Sequence, residues 1–407
     1  MTDHYDDLET RDPDAREASL FECLRAQIHD AQANALGMAR HLDGVEADAV
    51  VDRAALARLP VLRKSALVEM QKAAPPFGGL TTRPASEFTH MFQSPGPIYE
   101  PGMDTPDWWR FARAMYAGGL RAGDVVINCF AYHLTPAGMM FDSGARAIGA
   151  TVIAGGVGNT EAQVTAAADL GATAYAGTPD FLKVMMEKAG ELGRELKITK
   201  AVVGGGPLFP QIRQFYQDKG ISCLQGYGTA DVGSIAYESP AMEGMIVDEG
   251  VILEIVTPGT GDPVAEGEVG EVLVTVLNAD YPLIRFATGD MSAVLPGVSP
   301  CGRSNMRIKG WMGRADQTTK VKGMFVRPEQ VAAVVARHPE ITKARLTVDR
   351  DGDADVMHLV AEGSDLDVSV LEATMRDVLK LRGTAEVVAP GSLPGDGKVI
   401  DDIRTFD

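Results

Sequence analysis

The chain has 407 residues, of which 45% are hydrophobic and 23% are charged, as is ordinary for a globular protein. This length exceeds what one hydrophobic core usually supports, so two or three domains are expected. The formal net charge is −18 without any block of Lys and Arg. Such a surface repels phosphate backbones and anionic lipids, which argues against nucleic acid and membranes as partners.

Cysteine usage and the start of the chain both favour a reducing, cytoplasmic setting. The four cysteines lack CxxC spacing, and the first residues are acidic instead of forming a basic and then apolar signal segment. No apolar run reaches the roughly 18 residues that a membrane-spanning helix needs. We therefore expect a cytoplasmic protein, and a homodimer is the commonest assembly for such a chain.

The first segment predicts helices that serve packing. Residues 1–43 are an acidic lead-in followed by a helix whose apolar positions Leu20, Cys23, Leu24 and Ile28 recur near helical spacing. The sequence LARLPVLRKSALVEMQ then predicts a turn that contains proline and another short helix.

Residues 104–225 alternate between helical and strand patterns. Helices are predicted at 104–120, 136–147, 160–170, 180–190 and 209–218. Strands are predicted between them at 125–130, 150–154, 173–177, 201–204 and 221–225. Strands separated by helices of about ten residues indicate right-handed βαβ crossovers and a largely parallel sheet. Ligands collect at the carboxyl ends of the strands of such a sheet.

The pattern changes twice after Gly226. Strands at 251–256, 270–276 and 283–286 predict a β-rich subdomain over about 227–310. From Arg314 onward, the pattern predicts a compact α+β domain: a hairpin near 322–323, helices 328–338 and 366–380, and strands 343–349, 355–361 and 384–388. We predict an N-terminal domain of residues 1–313 and a small C-terminal domain of residues 314–407.

Arginine and aspartate recur as a pair where the composition changes. Arg285 and Asp290 follow one strand-like run, and Arg314 and Asp316 follow soon after. A buried carboxylate at a strand end can accept two hydrogen bonds from a vicinal diol such as a ribose, and a guanidinium offers a planar fork to a phosphate or carboxylate. The spacing predicts one site assembled across a hinge.

Several segments, taken in order, carry a family resemblance. They are LPVLRKSAL, GARAIGATVIAGG, GGGPLFP, QGYGTADVG, GEVGEVLVT, YPLIRFATGD, GRADQTTKVKG and PGSLPGDGKVIDD. Over nearly its whole length the chain resembles the phenylacetate–coenzyme A ligase branch of the adenylate-forming enzymes. The resemblance implies an α/β fold with a small mobile C-terminal lid. It also implies activation of a carboxylic acid by ATP to an acyl-adenylate, followed by transfer to coenzyme A.

The resemblance also implies roles for single residues. Asp290 would hold the ribose hydroxyls, Arg314 would approach the nucleotide, Asp316 would be the hinge and Lys398 would reach the carboxylate and the α-phosphate. Gly323 would let the hinge-side hairpin approach closely. The resemblance places Gly204, Gly205 and Gly206 beside the adenine, and Tyr227 and Gly228 beside the adenine and the α-phosphate.

Tyr132 and His133 follow the predicted strand 125–130 at the edge where the resemblance places the wall of the acyl pocket. Tyr132 is a candidate aromatic wall and His133 a candidate acid or base, although a lone His more often packs or accepts a hydrogen bond.

Two phosphate-contacting segments depart from the family pattern. Where the family has a Ser/Thr/Gly-rich loop that ends in Lys, this chain has Gln93-Ser94-Pro95-Gly96-Pro97, and prolines lack the N–H groups that cradle phosphates. In Tyr227-Gly228-Thr229-Ala230-Asp231, alanine replaces an expected hydroxyl and Asp231 keeps a carboxylate for magnesium. Thr229 could replace the lost hydroxyl only if the turn rotates.

Three functions remain open at this stage. The first is an ATP-dependent ligase that joins an aromatic or small carboxylic acid to coenzyme A. The second is a degenerate relative that binds AMP or coenzyme A without adenylation. The third is an adenylating enzyme that passes the acyl group to an amine or a carrier protein.

Overall fold

The computed structural model describes residues 4–94, 97–317, 319–322, 324–351, 354–364, 366–394 and 398–404, without the side chains of residues 316, 320, 325, 329 and 354. The chain forms two compact units: Met1–Thr288 with Ala293–Gly310, and Gly289–Ser292 with Trp311–Asp407. Gly289–Ser292 thus belong to the smaller unit, whereas the predicted boundary places these residues in the larger domain. That the smaller unit is a mobile lid stays a prediction.

The larger unit contains a nine-stranded sheet, a second sheet of four strands and a separate hairpin. Its strands are β1 (Leu62–Arg63), β2 (His90–Ser94), β3 (Ile98–Gly102), β4 (Val125–Asn128), β5 (Thr151–Ala154), β6 (Ala174–Gly177), β7 (Lys200–Val203), β8 (Ser222–Thr229), β9 (Gly233–Glu238), β10 (Met245–Val247), β11 (Val251–Val256), β12 (Gly270–Val276), β13 (Phe286–Ser292), β14 (Val294–Leu295) and β15 (Arg307–Ile308). The last four residues of β13 belong to the smaller unit. Its helices are α1 (Pro13–Asn34), α2 (Leu36–His41), α3 (Arg53–Leu56), α4 (Lys64–Ala73), α5 (Ala112–Ala117), α6 (Ala137–Ala147), α7 (Thr160–Asp169), α8 (Phe181–Glu191) and α9 (Pro210–Asp218).

The nine-stranded sheet has the order β14-β15-β10-β9-β8-β7-β6-β4-β5. Strands β5, β4, β6, β7 and β8 run parallel, whereas β9, β10, β15 and β14 continue the sheet antiparallel. Apolar clusters cover the parallel part, with Val126 in one and Ile127 in another. Adjacent residues of a strand face opposite sides of a sheet, so helices pack on both faces.

The four-stranded sheet has the order β1-β13-β12-β11 and is the β-rich part that the sequence predicts. Strands β11 and β12 have the predicted bounds. The strand predicted at 283–286 is wrong, because β13 begins at Phe286 and Arg285 has a left-handed backbone with φ of 47°. Extended strands have negative φ, so Arg285 ends a turn instead of continuing a strand.

The helix predicted at 104–120 is also wrong over its first half, because α5 spans only Ala112–Ala117. Asp107 and Arg110 have φ of 54° and 65°, which a right-handed helix does not tolerate. The Asp107 carboxylate accepts a hydrogen bond from the Ala112 N–H at 2.9 Å. An apolar pattern alone cannot show that such a turn precedes the helix.

The smaller unit is an α+β domain whose central sheet has the order β20-β19-β18-β21. Its elements are β16 (Thr319–Val321), β17 (Met324–Val326), α10 (Pro328–Val335), β18 (Lys343–Asp351), β19 (Ala354–Glu362), α11 (Val368–Leu379), β20 (Thr384–Val388) and β21 (Ile400–Asp402). Leu346 and Leu359 of the sheet and Leu371 and Met375 of α11 belong to one buried apolar cluster. This unit therefore has its own hydrophobic core.

Candidate active site

The glycine run 204–206 lies at the carboxyl end of the parallel part of the large sheet. It follows β7, which pairs with β8 through Val203 and Gln225. Gly205 has φ of 72°, and a side chain at Gly204 would begin 3.3 Å from the carbonyl oxygen of Gly226. Gly205 is exposed, and Gln225 Nε2 donates to the Gly206 carbonyl at 3.0 Å. The structure thus places the glycine loop beside the Tyr227–Thr229 segment, at the sheet edge where ligands collect.

Tyr227 and Gly228 lie where β8 changes partner from a parallel to an antiparallel strand. The pairing with β9 shifts between Tyr227 and Gly228. Tyr227 is buried, with its hydroxyl 3.5 Å from Thr288 Oγ1. A Cβ at Gly228 would lie 2.4 Å from the Gly233 carbonyl oxygen, so this position requires glycine. A bulge changes the local direction of a strand, and the contact of Gly228 with the α-phosphate stays a prediction.

Asp231 follows this segment, and two hydrogen-bond donors hold its carboxylate. Lys64 Nζ, at the start of α4, lies 2.6 Å from Asp231 Oδ2, and Thr229 Oγ1 donates to the same oxygen at 3.2 Å. The Asp231 side chain is fully buried, whereas Lys64 is 27% exposed. Asp231 Oδ1 is buried and has no hydrogen-bond partner among the described residues. The Thr229 hydroxyl points to this carboxylate, so it does not take the place of the hydroxyl that Ala230 lacks.

The larger unit has a second buried carboxyl group with an unpaired oxygen among the described residues. Glu100, on β3, accepts a hydrogen bond from Ser94 Oγ of β2. Burial and then the nearby Asp231 charge raise the pKa of Glu100 to about 7. Glu100 Oε2 and the hydroxyl of buried Tyr281 have no hydrogen-bond partners in the described part of the chain. The pKa of Tyr281 lies well above its ordinary value because of burial, Asp231 and Glu100.

The phosphate-loop segment that departs from the family pattern connects β2 to β3. Residues 90–94 pair antiparallel with residues 98–102. Pro95 and Gly96 lie outside the described residues. The described neighbour Ser94 is buried and turned to Glu100, so its hydroxyl is already in use.

The smaller unit brings Asp290 and Arg314 together. The two residues form an antiparallel bridge, with Arg314 Nη1 3.2 Å from Asp290 Oδ1. The Trp311 indole N–H donates to the same oxygen at 3.1 Å. A side chain at Gly289 would begin 2.8 Å from the Arg314 guanidinium, so glycine lets the arginine lie flat on the strand. Asp290 thus accepts hydrogen bonds from two side chains, and its role with the ribose stays a prediction.

Arg285 does not belong to this site. Its guanidinium donates to both Glu254 carboxylate oxygens at 3.0 Å and to the carbonyl oxygens of Ala57, Leu59 and Gly261. A guanidinium has five N–H donors, and all five are therefore used. The interpretation of Arg285 as a fork for phosphate is wrong, and its role is to hold the β-rich sheet together.

Lys398 precedes the last strand of the smaller unit. Its Nζ lies 2.8 Å from Asp401 Oδ1, and its side chain is 51% exposed. The backbone N–H groups of Val399 and Ile400 donate to Gln317 Oε1 at 2.6 and 3.2 Å. This ties the lysine segment to the short helix Ala315–Gln317, which contains Asp316. The Asp316 side chain, Gly323 and the glycines 395 and 397 lie outside the described residues.

Tyr132 and His133 lie in the turn between β4 and α6. The Tyr132 hydroxyl accepts from Asn128 Nδ2 at 2.8 Å and donates to Asp142 Oδ2 at 3.2 Å. Burial and Asp142 raise the pKa of Tyr132. Both residues are partly buried. Their roles at the acyl substrate stay predictions.

The donor set suits magnesium. Across the described residues, no group of three or more His, Cys, Asp and Glu side chains is arranged to hold a metal ion. Magnesium needs fewer protein ligands than that, because it usually keeps waters and binds through one or two carboxylates plus substrate phosphates. The unpartnered Oδ1 of Asp231 can be such a ligand.

Sequence reasoning missed Lys64, Glu100 and Tyr281. Lys64 lies in LPVLRKSAL, which was recognised as a family segment without a role for its lysine. Glu100 interrupts the strand-like run Ile98–Gly102, and a carboxylate inside such a run was the available signal. No helix in the described ranges is long and apolar enough to cross a membrane.

Comparisons with known proteins identify the family. A model of the AMP-binding enzyme family matches residues 108–276. Phenylacetate-coenzyme A ligase of Thermus thermophilus is 30% identical over 327 residues, 76% of this chain and 72% of that protein. The ligase of the same name from Aromatoleum evansii is 26% identical over 374 residues, 87% of this chain and 83% of that protein.

A solved structure of 2-hydroxyisobutyryl-CoA ligase, in the postadenylation state with 2-HIB-AMP, has a TM-score of 0.83 at 22% identity and covers 97% of this chain and 91% of that one. This likeness confirms the predicted adenylate-forming fold. The predicted class, an AMP-forming carboxylate–CoA ligase, is also confirmed. The chain belongs to the phenylacetate–coenzyme A ligase family of AMP-binding, adenylate-forming enzymes.

Proposed function

We propose that the protein uses ATP and magnesium to convert an aromatic or small carboxylic acid into an acyl-adenylate and pyrophosphate, and then transfers the acyl group to coenzyme A. The observation that carries this proposal is the junction of β7 and β8, which places Gly204–Gly206 beside Tyr227 and Gly228 with Asp231 behind them. A loop of three glycines near the buried Tyr227 ring supports a purine site, and Asp231 follows the residues predicted to contact the α-phosphate.

In this proposal, Asp290 accepts the ribose hydroxyls and Arg314 lies next to the nucleotide. Asp290 Oδ1 already accepts from Trp311 and Arg314. An ionised carboxylate has about four lone-pair sites, so Asp290 can accept from a diol in addition to these donors. Asp231 holds magnesium, which supplies charge stabilisation at the phosphates when bound. Tyr132 and His133 contribute to the acyl pocket.

Lys398 is the proposed cation for the first half-reaction. A carboxylate that attacks phosphorus needs its developing charge met by a positioned cation more than it needs a general base. The smaller unit acts as a mobile lid that delivers this ammonium, with Asp316 at the hinge. The ammonium group of Lys398 pairs with Asp401, and its side chain is half exposed.

The test is carboxylate-dependent ATP–pyrophosphate exchange with a panel of aromatic and short-chain acids. Lys398→Ala is expected to lower exchange by about two orders of magnitude or more, while thioester formation from supplied acyl-adenylate continues. The matched control is Lys380→Asn. Lys380 is an exposed lysine of the same unit that pairs with Asp377, and asparagine tolerates its φ of 58°. If Lys398→Ala and Lys380→Asn catalyse ATP–pyrophosphate exchange at the same rate, Lys398 takes no part in the mechanism.

The final acceptor is tested separately by the mass of the product. An acyl-CoA thioester as the product supports the proposal. An amide or an acylated carrier protein would show that another nucleophile accepts the acyl group instead of coenzyme A. No exchange with any acid of the panel, together with tight AMP binding, would favour a binding protein that does not adenylate.

A further inference from the structure

An arginine holds the backbone of the connection between β8 and β9, which carries Asp231. Arg110 Nη2 donates to the carbonyl oxygen of Val232, the last residue of this connection, and to that of Ser234 at 3.4 Å. The Ser234 N–H donates in turn to the carbonyl oxygen of Trp109 at 2.9 Å. Hydrogen bonds in both directions thus join the two residues 109 and 110 to the backbone that follows Asp231.

Trp109 gives this arginine a fixed starting point in the larger unit. It is buried, and its indole lies edge-on to the ring of Phe92 of β2, with 6.0 Å between the ring centroids. A Cβ at Gly102 of β3 would lie 2.8 Å from the Trp109 ring, and one at Gly233 of β9 would lie 2.7 Å from the Trp109 carbonyl oxygen. Both close approaches need glycine. The segment that carries the arginine is therefore packed against the β2–β3 hairpin as well as against β9.

Buried contacts also fix the direction of the Arg110 side chain. This side chain is 12% exposed, and its Nε lies 3.7 Å from Oδ1 of Asp248, whose side chain is fully buried. Asp248 Oδ1 accepts from the Gly250 N–H at 2.9 Å, and a Cβ at Gly250 would lie 2.7 Å from Arg110 Cδ. The Arg110 backbone is left-handed, with φ of 65°. Such a backbone is costly for a residue with a Cβ and persists where its surroundings determine it.

We propose that Arg110 is a positioning residue for the nucleotide phosphates and that it acts through the backbone of the β8–β9 connection. The inference rests on the proposed function, in which Gly228 lies beside the α-phosphate and Asp231 holds magnesium. Arg110 holds the carbonyl groups of the connection, whereas Lys64 holds the Asp231 carboxylate. Held by two cations on different atoms, the connection keeps Gly228 and Asp231 in one place relative to the phosphates, and small misplacements of such groups are costly.

This role predicts an effect that is selective for the phosphates. In the proposed function, the adenine lies beside Gly204–Gly206 and the ribose lies beside Asp290. The Arg110 hydrogen bonds go to Val232 and Ser234, which belong to neither of these segments. Loss of the arginine should therefore weaken the binding of ATP and leave the binding of adenosine almost unchanged. A residue that only stabilises the fold has no reason to distinguish the two ligands.

The experiment is equilibrium dialysis of the full-length protein with radiolabelled adenosine and, separately, with radiolabelled ATP and magnesium. In Arg110→Gln, we expect the dissociation constant of ATP to rise about tenfold and that of adenosine to stay within a factor of about two. Arg110→Lys keeps a cationic donor and should recover part of the lost ATP affinity. The matched control is Arg121→Gln, because Arg121 also donates to two carbonyl oxygens, those of Tyr116 and Leu120.

Gly250→Ala tests the same contact without changing the arginine. The added methyl group meets the Arg110 side chain and displaces its guanidinium, so the ratio of the ATP to the adenosine dissociation constant should rise by roughly a few-fold. Urea unfolding shows which variants are folded. An unchanged ratio in folded Arg110→Gln would overturn the inference. If Arg110→Gln does not fold, an unchanged ratio in Gly250→Ala overturns it instead.

These outcomes separate the inference from the proposed function. Carboxylate-dependent exchange together with an ATP affinity that does not depend on Arg110 would overturn the inference alone. ATP binding that depends on Arg110, without exchange for any acid of the panel, would overturn the proposed adenylation alone. A wild-type protein that binds neither adenosine nor ATP would overturn both.

Discussion

Lys64 and Asp231 form an ion pair between residues that are 167 positions apart in the sequence, with Nζ 2.6 Å from Oδ2. The Asp231 side chain is fully buried and that of Lys64 is 27% exposed. Thr229 is the one other described donor to Asp231. The lysine therefore both neutralises a buried charge and fixes α4 to the turn that bears Asp231.

Lys64→Met is expected to destabilise the larger unit by about 3 kcal/mol, because removal of one partner leaves a buried charge uncompensated. The double variant Lys64→Met with Asp231→Asn should regain part of that loss, which a double-mutant cycle in urea measures. The control is Lys72→Met, which breaks an exposed pair with Glu69 and should cost no more than about 0.5 kcal/mol. Additive single effects would show that the pair is not coupled.

Arg285→Lys is expected to lower the free energy of unfolding by about 3 kcal/mol or more while AMP affinity stays within a factor of about two. Lysine has three donors and no planar fork, so it cannot replace five hydrogen bonds to Glu254 and three carbonyl groups. Urea unfolding and calorimetric AMP titration measure the two effects. A loss of AMP affinity without a loss of stability would show that Arg285 contacts the nucleotide after all.

Local sequence patterns predict much of the fold, but they do not predict the contacts between the site residues. Strands β11, β12 and β20 have the predicted bounds because their apolar or β-branched runs end at clear turn residues. The turns at Asp107 and Arg285 were missed, since a left-handed backbone at a non-glycine residue has no pattern of its own.

The site residues divide in the same way. The Asp290–Arg314 bridge joins neighbouring motifs, so the sequence could suggest it. The ion pair of Lys64 with Asp231 joins two distant segments, and no local spacing encodes it. Tertiary packing alone decides which of many carboxylates become buried neighbours.

Trp311 is expected to report nucleotide binding, because its indole N–H donates to the Asp290 oxygen that lies beside the proposed ribose site. AMP should change the tryptophan emission of the wild type, and Trp311→Phe should lose most of this change while calorimetric affinity falls by no more than about fivefold. Trp108 and Trp109 contact each other in the larger unit and provide the constant background. An AMP signal that survives in Trp311→Phe would contradict the placement of the ribose at Asp290.

Asp107 is expected to make stability depend on pH. Burial raises the pKa of its carboxyl group to about 7, with Asp248 adding to the effect. Because the unfolded value is about 4, the folded protein binds the proton more tightly, and the stability from this group is complete below pH 4 and lost as the pH rises to about 7. Asp107→Asn mimics the neutral form and keeps the oxygen that accepts from the Ala112 N–H.

Relative to the wild type, Asp107→Asn should therefore gain roughly 1–3 kcal/mol in unfolding free energy between pH 5 and pH 8. Urea unfolding of both proteins at several pH values in this range measures the difference. The control is Asp104→Asn, an exposed residue of the same segment, for which the difference from the wild type should stay constant. If the Asp107→Asn difference is equally flat, the Asp107 carboxyl group is ionised throughout and its surroundings are more polar than the structure indicates.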